Sequence, residues 1–225
     1  MKKILAGLAL LLTLTGTAWA QSSASAEFNL FDLQGASVNR VFLFDDGYSQ
    51  QYGIPVPVPF TVSVPNRNEI ELIADGTPDG GAFVKFTFAT GEPRQFVENI
   101  QVITATIPMA EDAEDPQAAR LQMSVSLLQD RVYPIAVQGF DNPEILAIEI
   151  FEFEGYSGVH LIGRYTDPAV GPMLLRLTAH PNPTRPESYL TVANINLALV
   201  PVTDGETLRR SLSSQVANGL TYLPE

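Results

Sequence analysis

The chain has 225 residues, with 25 acidic against 13 basic side chains, a net charge of −12 and no cysteine. The lack of cysteine excludes a disulfide framework, a thiol nucleophile and a thiolate metal site. The acidic balance argues against nucleic acid and anionic lipid, whose phosphates need a basic patch, and suits solubility, a cation or a basic partner.

In chain order, the first element is a leader. Lys2 and Lys3 precede the apolar run 4–14, and Ala18-Trp19-Ala20 has the small-x-small form of a cleavage site. Residues 1–20 therefore read as a secretory signal peptide. The expected location is extracytoplasmic (periplasm, cell surface or medium) after cleavage following Ala20. Cleavage removes Lys2, Lys3 and Trp19, leaving 11 bases against 25 acids and a net charge of −14 on a mature chain starting at Gln21. Residues 21–27 are small and polar and read as a flexible leader-end. No later apolar run approaches the roughly 20 residues of a membrane helix, so no membrane span is expected.

Strand-like runs follow at 28–33, 38–44, 69–74, 82–89, 99–107, 121–128, 144–154, 159–165 and 188–200, separated by Gly, Pro, Asn and Asp turns. This spacing predicts an all-β fold, an immunoglobulin-like antiparallel β-sandwich, with no helix inside the body. Residues 54–64, IPVPVPFTVSV, alternate most clearly. Pro55, Pro57 and Pro59 donate no hydrogen bond, which predicts an edge strand. The loop 109–119 crowds Glu111, Asp112, Glu114 and Asp115 before Pro116 and is the expected acidic linker. It divides the chain into sandwich domains at 28–108 and 120–202, with one large sandwich as the alternative. In 203–225 the period changes. Thr203 to Glu206 read as a capping box, and Leu208, Leu212 and Val216 recur every four residues, predicting a short C-terminal helix and tail that closes at Gly219.

Little chemistry is signalled. Two histidines, His160 and His180, are too few for a His/Cys zinc site. Ser157 in Gly155-Tyr156-Ser157-Gly158 lacks the nucleophile-elbow pattern, and no phosphate loop or dinucleotide fingerprint occurs. The stretch AIEIFEFEG, 147–155, carries Glu149, Glu152 and Glu154. Its FEFEG resembles part of the catalytic strand E-I-D-F-E-F-L-G of the laminarinase/xyloglucan endotransglycosylase family. With Phe151-Glu152-Phe153 on the family's F-E-F, only Glu152 falls on an acid, and Ile148 and Ile150 take the nucleophile and helper positions. The shifted frame places Phe151 and Phe153 on acids. Neither frame transfers the catalytic set.

The preferred reading of the stretch is a strand whose three glutamates face solvent, because a buried unpaired carboxylate costs several kcal/mol, on the order of. A bulge between Ile150 and Phe151 would keep the apolar side chains inward. A hairpin loop at 155–157 would set Glu152 opposite His160, raise the His160 pKa slightly and put Gly158 at a left-handed bulge position.

The expectation is thus a non-catalytic binding or structural module of the cell envelope or secreted fraction. It has no catalytic, cofactor or metal residues, and its partner is an unidentified envelope protein or glycan. The alternatives are a carbohydrate-active hydrolase using Glu152 and Glu154, and a calcium-dependent adhesion module using the 111–115 loop. Calcium is the weaker partner because the D-x-D-x-D-G spacing is missing.

Overall fold

The computed structural model describes residues 28–35, 37–77, 82–153 and 156–224; the signal-peptide and leader-end readings of 1–27 fall outside the described residues. The chain is mostly β, in two antiparallel sheets. Strands β1 (Val38–Phe44), β2 (Phe60–Asn66) and β10 (Leu220–Tyr222) form a three-stranded sheet in the order β1-β2-β10. The larger sheet has the order β3-β4-β5-β9-β8-β7-β6. Its strands are β3 (Glu71–Thr77), β4 (Ala82–Thr90), β5 (Gln95–Thr106), β6 (Asp141–Phe153), β7 (Tyr156–Asp167), β8 (Gly171–His180) and β9 (Glu187–Asn196).

Alternation explains how the sheets face each other. Phe60, Val62 and Val64 of β2 are buried while Thr61 and Ser63 are half-buried, and Phe86 and Phe88 of β4 are buried around a half-buried Thr87. These side chains share one core with Phe44, Ile100, Val102 and Ile195 between the two sheets. Each fully buried side chain of this size contributes about 1.5–3 kcal/mol. A second core lies on the opposite face of the large sheet, where Leu161, Leu175, Leu177 and Val192 meet Leu128, Val132 and Tyr133.

That second core requires a helical layer, which corrects the expectation of a helix-free body. The run 121–128 is not a strand. It belongs to α2 (Pro116–Leu127), which continues through a π-type turn over Leu128–Val132 into α3 (Tyr133–Ala136). Leu121, Val125, Leu128 and Val132 form a helical stripe toward the sheet. Asp115 is the N-cap, accepting from Ala118 N at 2.9 Å, and Pro116 begins the helix. The acidic segment 109–119 is therefore a turn leading into a helix. It does not divide two sandwiches either, because β5 pairs with β9 from Glu98↔Ile195 to Thr106↔Glu187, placing strands from 28–108 and 120–202 in one sheet. Arg120 of α2 clamps the layer. Its guanidinium donates to the carbonyls of Ile107, Pro108, Asn182 and Arg185.

Three other expectations change. The run 28–33 holds a 3₁₀ turn, Leu30–Asp32, capped by Asn29. Residues 54–59 precede β2 instead of extending it, since the prolines cannot donate to a ladder. Side chains take over there. Ser49 Oγ accepts from Val56 N, and Tyr189 Oη exchanges hydrogen bonds with Val58 N and O. Finally, β8 lies in a stretch given no strand from the sequence. Met173 to His180 are all buried, odd residues toward the helical layer and even residues toward the opposite face.

The C-terminal helix forms as two short pieces, α4 (Gly205–Arg210) and α5 (Leu212–Asn218), with α1 (Asp46–Tyr52) between β1 and β2. The capping box lies one residue later than expected. Asp204 is the N-cap and Thr207 the reciprocal partner. Gly219 ends α5 with an ordinary negative φ.

Candidate functional site

Strands β6 to β9 present their even-β8 face to α5 and β10, and both histidines lie on this face, on either side of Phe151. The β6–β7 register is Phe151↔Gly158, Ile150↔Val159, Glu149↔His160 and Ile148↔Leu161. The register shift sits between Ile145 and Ala147, so Leu146 is the bulged residue and the predicted bulge at 150–151 is absent. With pairing continuous from Ala147 to Phe153, Glu149 and Glu152 point to opposite faces of the sheet. The expected hairpin is therefore corrected. Glu152 is exposed opposite Ser157, and His160 meets Glu149 instead, Nε2 to Oε2 at 3.0 Å. Gly158 shows no left-handed backbone. Glu154 and Gly155 lie outside the described residues.

Register places further groups on the Glu149–His160 face. Thr178 lies opposite His160 and Thr191, Arg176 opposite Ile162 and Ala193, and His180 opposite Tyr189. Phe151 stacks on His160 with ring centroids 5.6 Å apart and meets the His180 ring edge-on at 6.0 Å. Tyr156 Oη lies 3.3 Å from His180 Nδ1 and 3.3 Å from the Leu220 carbonyl. Tyr222 Oη accepts from Tyr189 N and donates to the His180 carbonyl, tying β10 across β8 and β9.

Burial dominates the electrostatics. His180 is fully buried, and desolvation, with Arg176 beside it, lowers its pKa to about 3. His160 is also lowered, by burial first and Arg176 second, and these outweigh the opposing pull of Glu149. The slight rise expected from a carboxylate neighbour is thus reversed. Burial lowers Arg176 to about 10, which leaves it charged at neutral pH. Its Nη1 reaches the Ser214 carbonyl at 3.4 Å and Nη2 the Asn218 amide oxygen at 2.9 Å. On β5, Glu98 is fully buried and accepts from Leu212 N, Ser213 N and Ser213 Oγ. Desolvation raises its pKa to about 7. Glu98 thereby fixes the start of α5, the segment that covers Arg176.

Arg176 and Glu98 were not singled out from the sequence. The available signal was a lone base inside the apolar run MLLRLTAH, 173–180, and a lone acid at the start of β5. Of the acids that were singled out, Glu111, Asp112 and Glu114 are exposed and Asp115 caps α2. Among the described residues no cluster of three or more His, Asp or Glu is placed to hold a metal ion.

A second surface feature stands apart from this cluster. β1 has only β2 as a neighbour among the described residues, and Val38, Val41 and Leu43 are 67%, 69% and 50% exposed. Beside it runs a groove of about 390 Å³ lined by Phe42, Leu43, Tyr48 and Tyr52.

No protein-family model and no curated protein matches the chain. Solved structures that resemble it include cyanobacterial PsbP (CyanoP) from Synechocystis sp. PCC 6803, at 16% identity over 85% of this chain and 98% of that one, TM-score 0.47. LpqN of Mycobacterium tuberculosis, involved in cell envelope biogenesis, is 13% identical over 83% of this chain and 92% of its own, TM-score 0.44. The Ran-binding protein Mog1p of Saccharomyces cerevisiae is 10% identical over 83% and 96%, TM-score 0.42. These likenesses are distant and imply neither a family nor an activity for this chain.

Proposed function

We propose that this protein is an exported, non-catalytic binding module of the cell envelope or secreted fraction, and that it docks an extended segment of a partner protein onto the edge of β1. The observation that carries the reading is the exposure of Val38, Val41 and Leu43 on a strand that has one hydrogen-bonded neighbour among the described residues. Exposed apolar edge strands are an aggregation hazard that proteins normally blunt with charge or proline. A retained one fits strand addition, in which main-chain hydrogen bonds give affinity and alternate side chains give specificity. Export is supported by the leader, residues 1–20.

The test uses the mature chain as bait on envelope extract, with Val41→Lys plus Leu43→Lys as the altered bait and Glu152→Gln as control. Both lysines replace exposed side chains, so the variant should keep its melting temperature. A specific partner held by wild type and by Glu152→Gln, and lost with the β1 variant, supports strand docking. Equal capture by all three baits, or none by wild type, overturns it. Intact mass of the exported protein checks the leader: a chain starting at Gln21 agrees, and one retaining Trp19 does not.

A further inference from the structure

We propose that Arg176, with Thr178, Thr191, His160 and His180 around it, forms a buried receptor for a small oxyanion of the inorganic phosphate or small carboxylate class.

Arg176 is 4% exposed and charged at neutral pH, and among the described residues no carboxylate forms an ion pair with it. Its two acceptors are neutral, one of them at the long limit of a hydrogen bond, and Nε has none. Arg120 gives the contrast inside the same fold: equally buried, it meets four carbonyls and is satisfied as a structural clamp. Removing a guanidinium from water without a counter-charge is strongly unfavourable. Such a group is retained where acceptors saturate it, as at Arg120, or where something negative compensates it.

The neighbours are also suited to an oxyanion. Thr178 Oγ1, Thr191 Oγ1, Ser214 Oγ, His160 Nδ1 and His180 Nε2 are all buried and without partners among the described residues. Five such atoms, on the sheet face that carries Arg176 and on the helix that covers it, depart from the rule that buried polar groups are paired. Sheet register sets Arg176, Thr178 and His180 at alternate positions of β8, with Thr191 across from Thr178 and His160 on its other side. Hydroxyl rotors and the planar guanidinium supply donors in the spread that oxyanions accept. The histidine tautomers add acceptors. Tyr156 Oη donates to the Leu220 carbonyl and so accepts from His180 Nδ1, and His160 Nε2 donates to Glu149, so that His180 Nε2 and His160 Nδ1 present lone pairs that accept from the hydroxyl of a protonated oxyanion such as dihydrogen phosphate. The acids nearest this face are engaged elsewhere, Glu149 with His160 Nε2 and Glu98 with the start of α5.

The site and the β1 edge rest on different residues, so either survives failure of the other. The experiment follows the Arg176 Nε–H resonance and the melting temperature of the mature protein. Phosphate, succinate and, at matched ionic strength, sodium chloride are titrated separately. Saturable movement of the Nε–H signal by phosphate or succinate, with a parallel rise in melting temperature, is expected, and the two arms separate the phosphate from the carboxylate source. Arg176→Met fills the place with an apolar chain, should fold at least as stably, and should lose saturable binding. Thr178→Val keeps the charge and shape and should weaken binding about tenfold, which provides the reading if the methionine variant does not fold. An unmoved Nε–H signal overturns the proposal. So does a stabilisation shared by sodium chloride, or one unchanged by Thr178→Val.

Discussion

His160 Nε2 lies 3.0 Å from Glu149 Oε2 across the β6–β7 ladder, while the other ring nitrogen, Nδ1, is buried without a partner among the described residues. One side of the imidazole is wet and acidic and the other faces Arg176. The buried side wins, so the folded protein prefers neutral His160.

A pH prediction follows from three groups. A lowered histidine pKa gives stability that is full above about 6.5 and lost as pH falls through the folded value. His180, lowered to about 3, does this over a wide window, worth on the order of 5 kcal/mol by pH 3. Glu98 has the opposite sign. Raised from 4.5 to about 7, it gives stability that is full below 4.5 and lost as pH rises through 7. The two oppose each other between pH 4.5 and 6.5. In Glu98→Gln the opposing group is gone, and unfolding free energy should rise with pH more steeply than in wild type, by about 1.4 kcal/mol per unit over pH 4.5–6.5. Urea unfolding at half-unit steps from pH 4 to 8 measures this. Parallel curves for the two proteins would show that Glu98 titrates normally.

Asp115 yields a second prediction, separate from the calcium reading of its loop. As N-cap of α2 it accepts from Ala118 N at 2.9 Å, a role that needs no metal. Asp115→Ala should cost about 1 kcal/mol by urea unfolding. Millimolar calcium should leave the melting temperatures of wild type and variant unchanged. Calcium stabilisation of the wild type, abolished in Asp112→Asn with Asp115→Asn, would restore the metal reading.

How much was legible in the sequence depends on which signal each element carries. Alternating burial marks β2 and the middle of β4, and β1 and β7 stand out as short apolar runs between turn residues. Strand β8 is buried on both faces, and its continuous run Met173–His180 has no period to read. Helix α2 was obscured by small polar residues. Ser124 and Ser126 flank Val125 and imitate alternation, although Asp115-Pro116 marked a helix start. The hairpin turned on where pairing closes: the ladder runs up to Phe153↔Tyr156 where the sequence predicts closure at Glu154 and Gly158, which shifts every pair by three residues and exchanges Glu152 for Glu149 as the partner of His160. The Arg176 cluster joins residues from β6 to β9, α5 and β10, and no local pattern announces contacts of that range.

Gly158 provides the last prediction. It sits opposite Phe151, whose ring covers it. A Cβ there would lie 2.5 Å from Phe151 Cζ and 2.6 Å from the Ala179 carbonyl oxygen. The ring can rotate away, but the carbonyl belongs to the β8 backbone and cannot move without disturbing the β7–β8 ladder. Gly158→Ala should therefore destabilise the protein by about 1–3 kcal/mol. Because Phe151 also stacks on His160, its displacement should expose the imidazole. The His160 pKa should then rise toward 6.5 as the desolvation that lowers it is relieved. Phe151→Ala removes one of the two clashes, so Gly158→Ala should cost less in that background, with a coupling of at least about 0.5 kcal/mol. Urea unfolding of the four proteins gives the cycle, and NMR titration of the imidazole gives the pKa. Additive single effects with an unmoved His160 would mean that Phe151 does not pack over Gly158, and the wall that β6 lends to the Arg176 cluster would have to be redrawn.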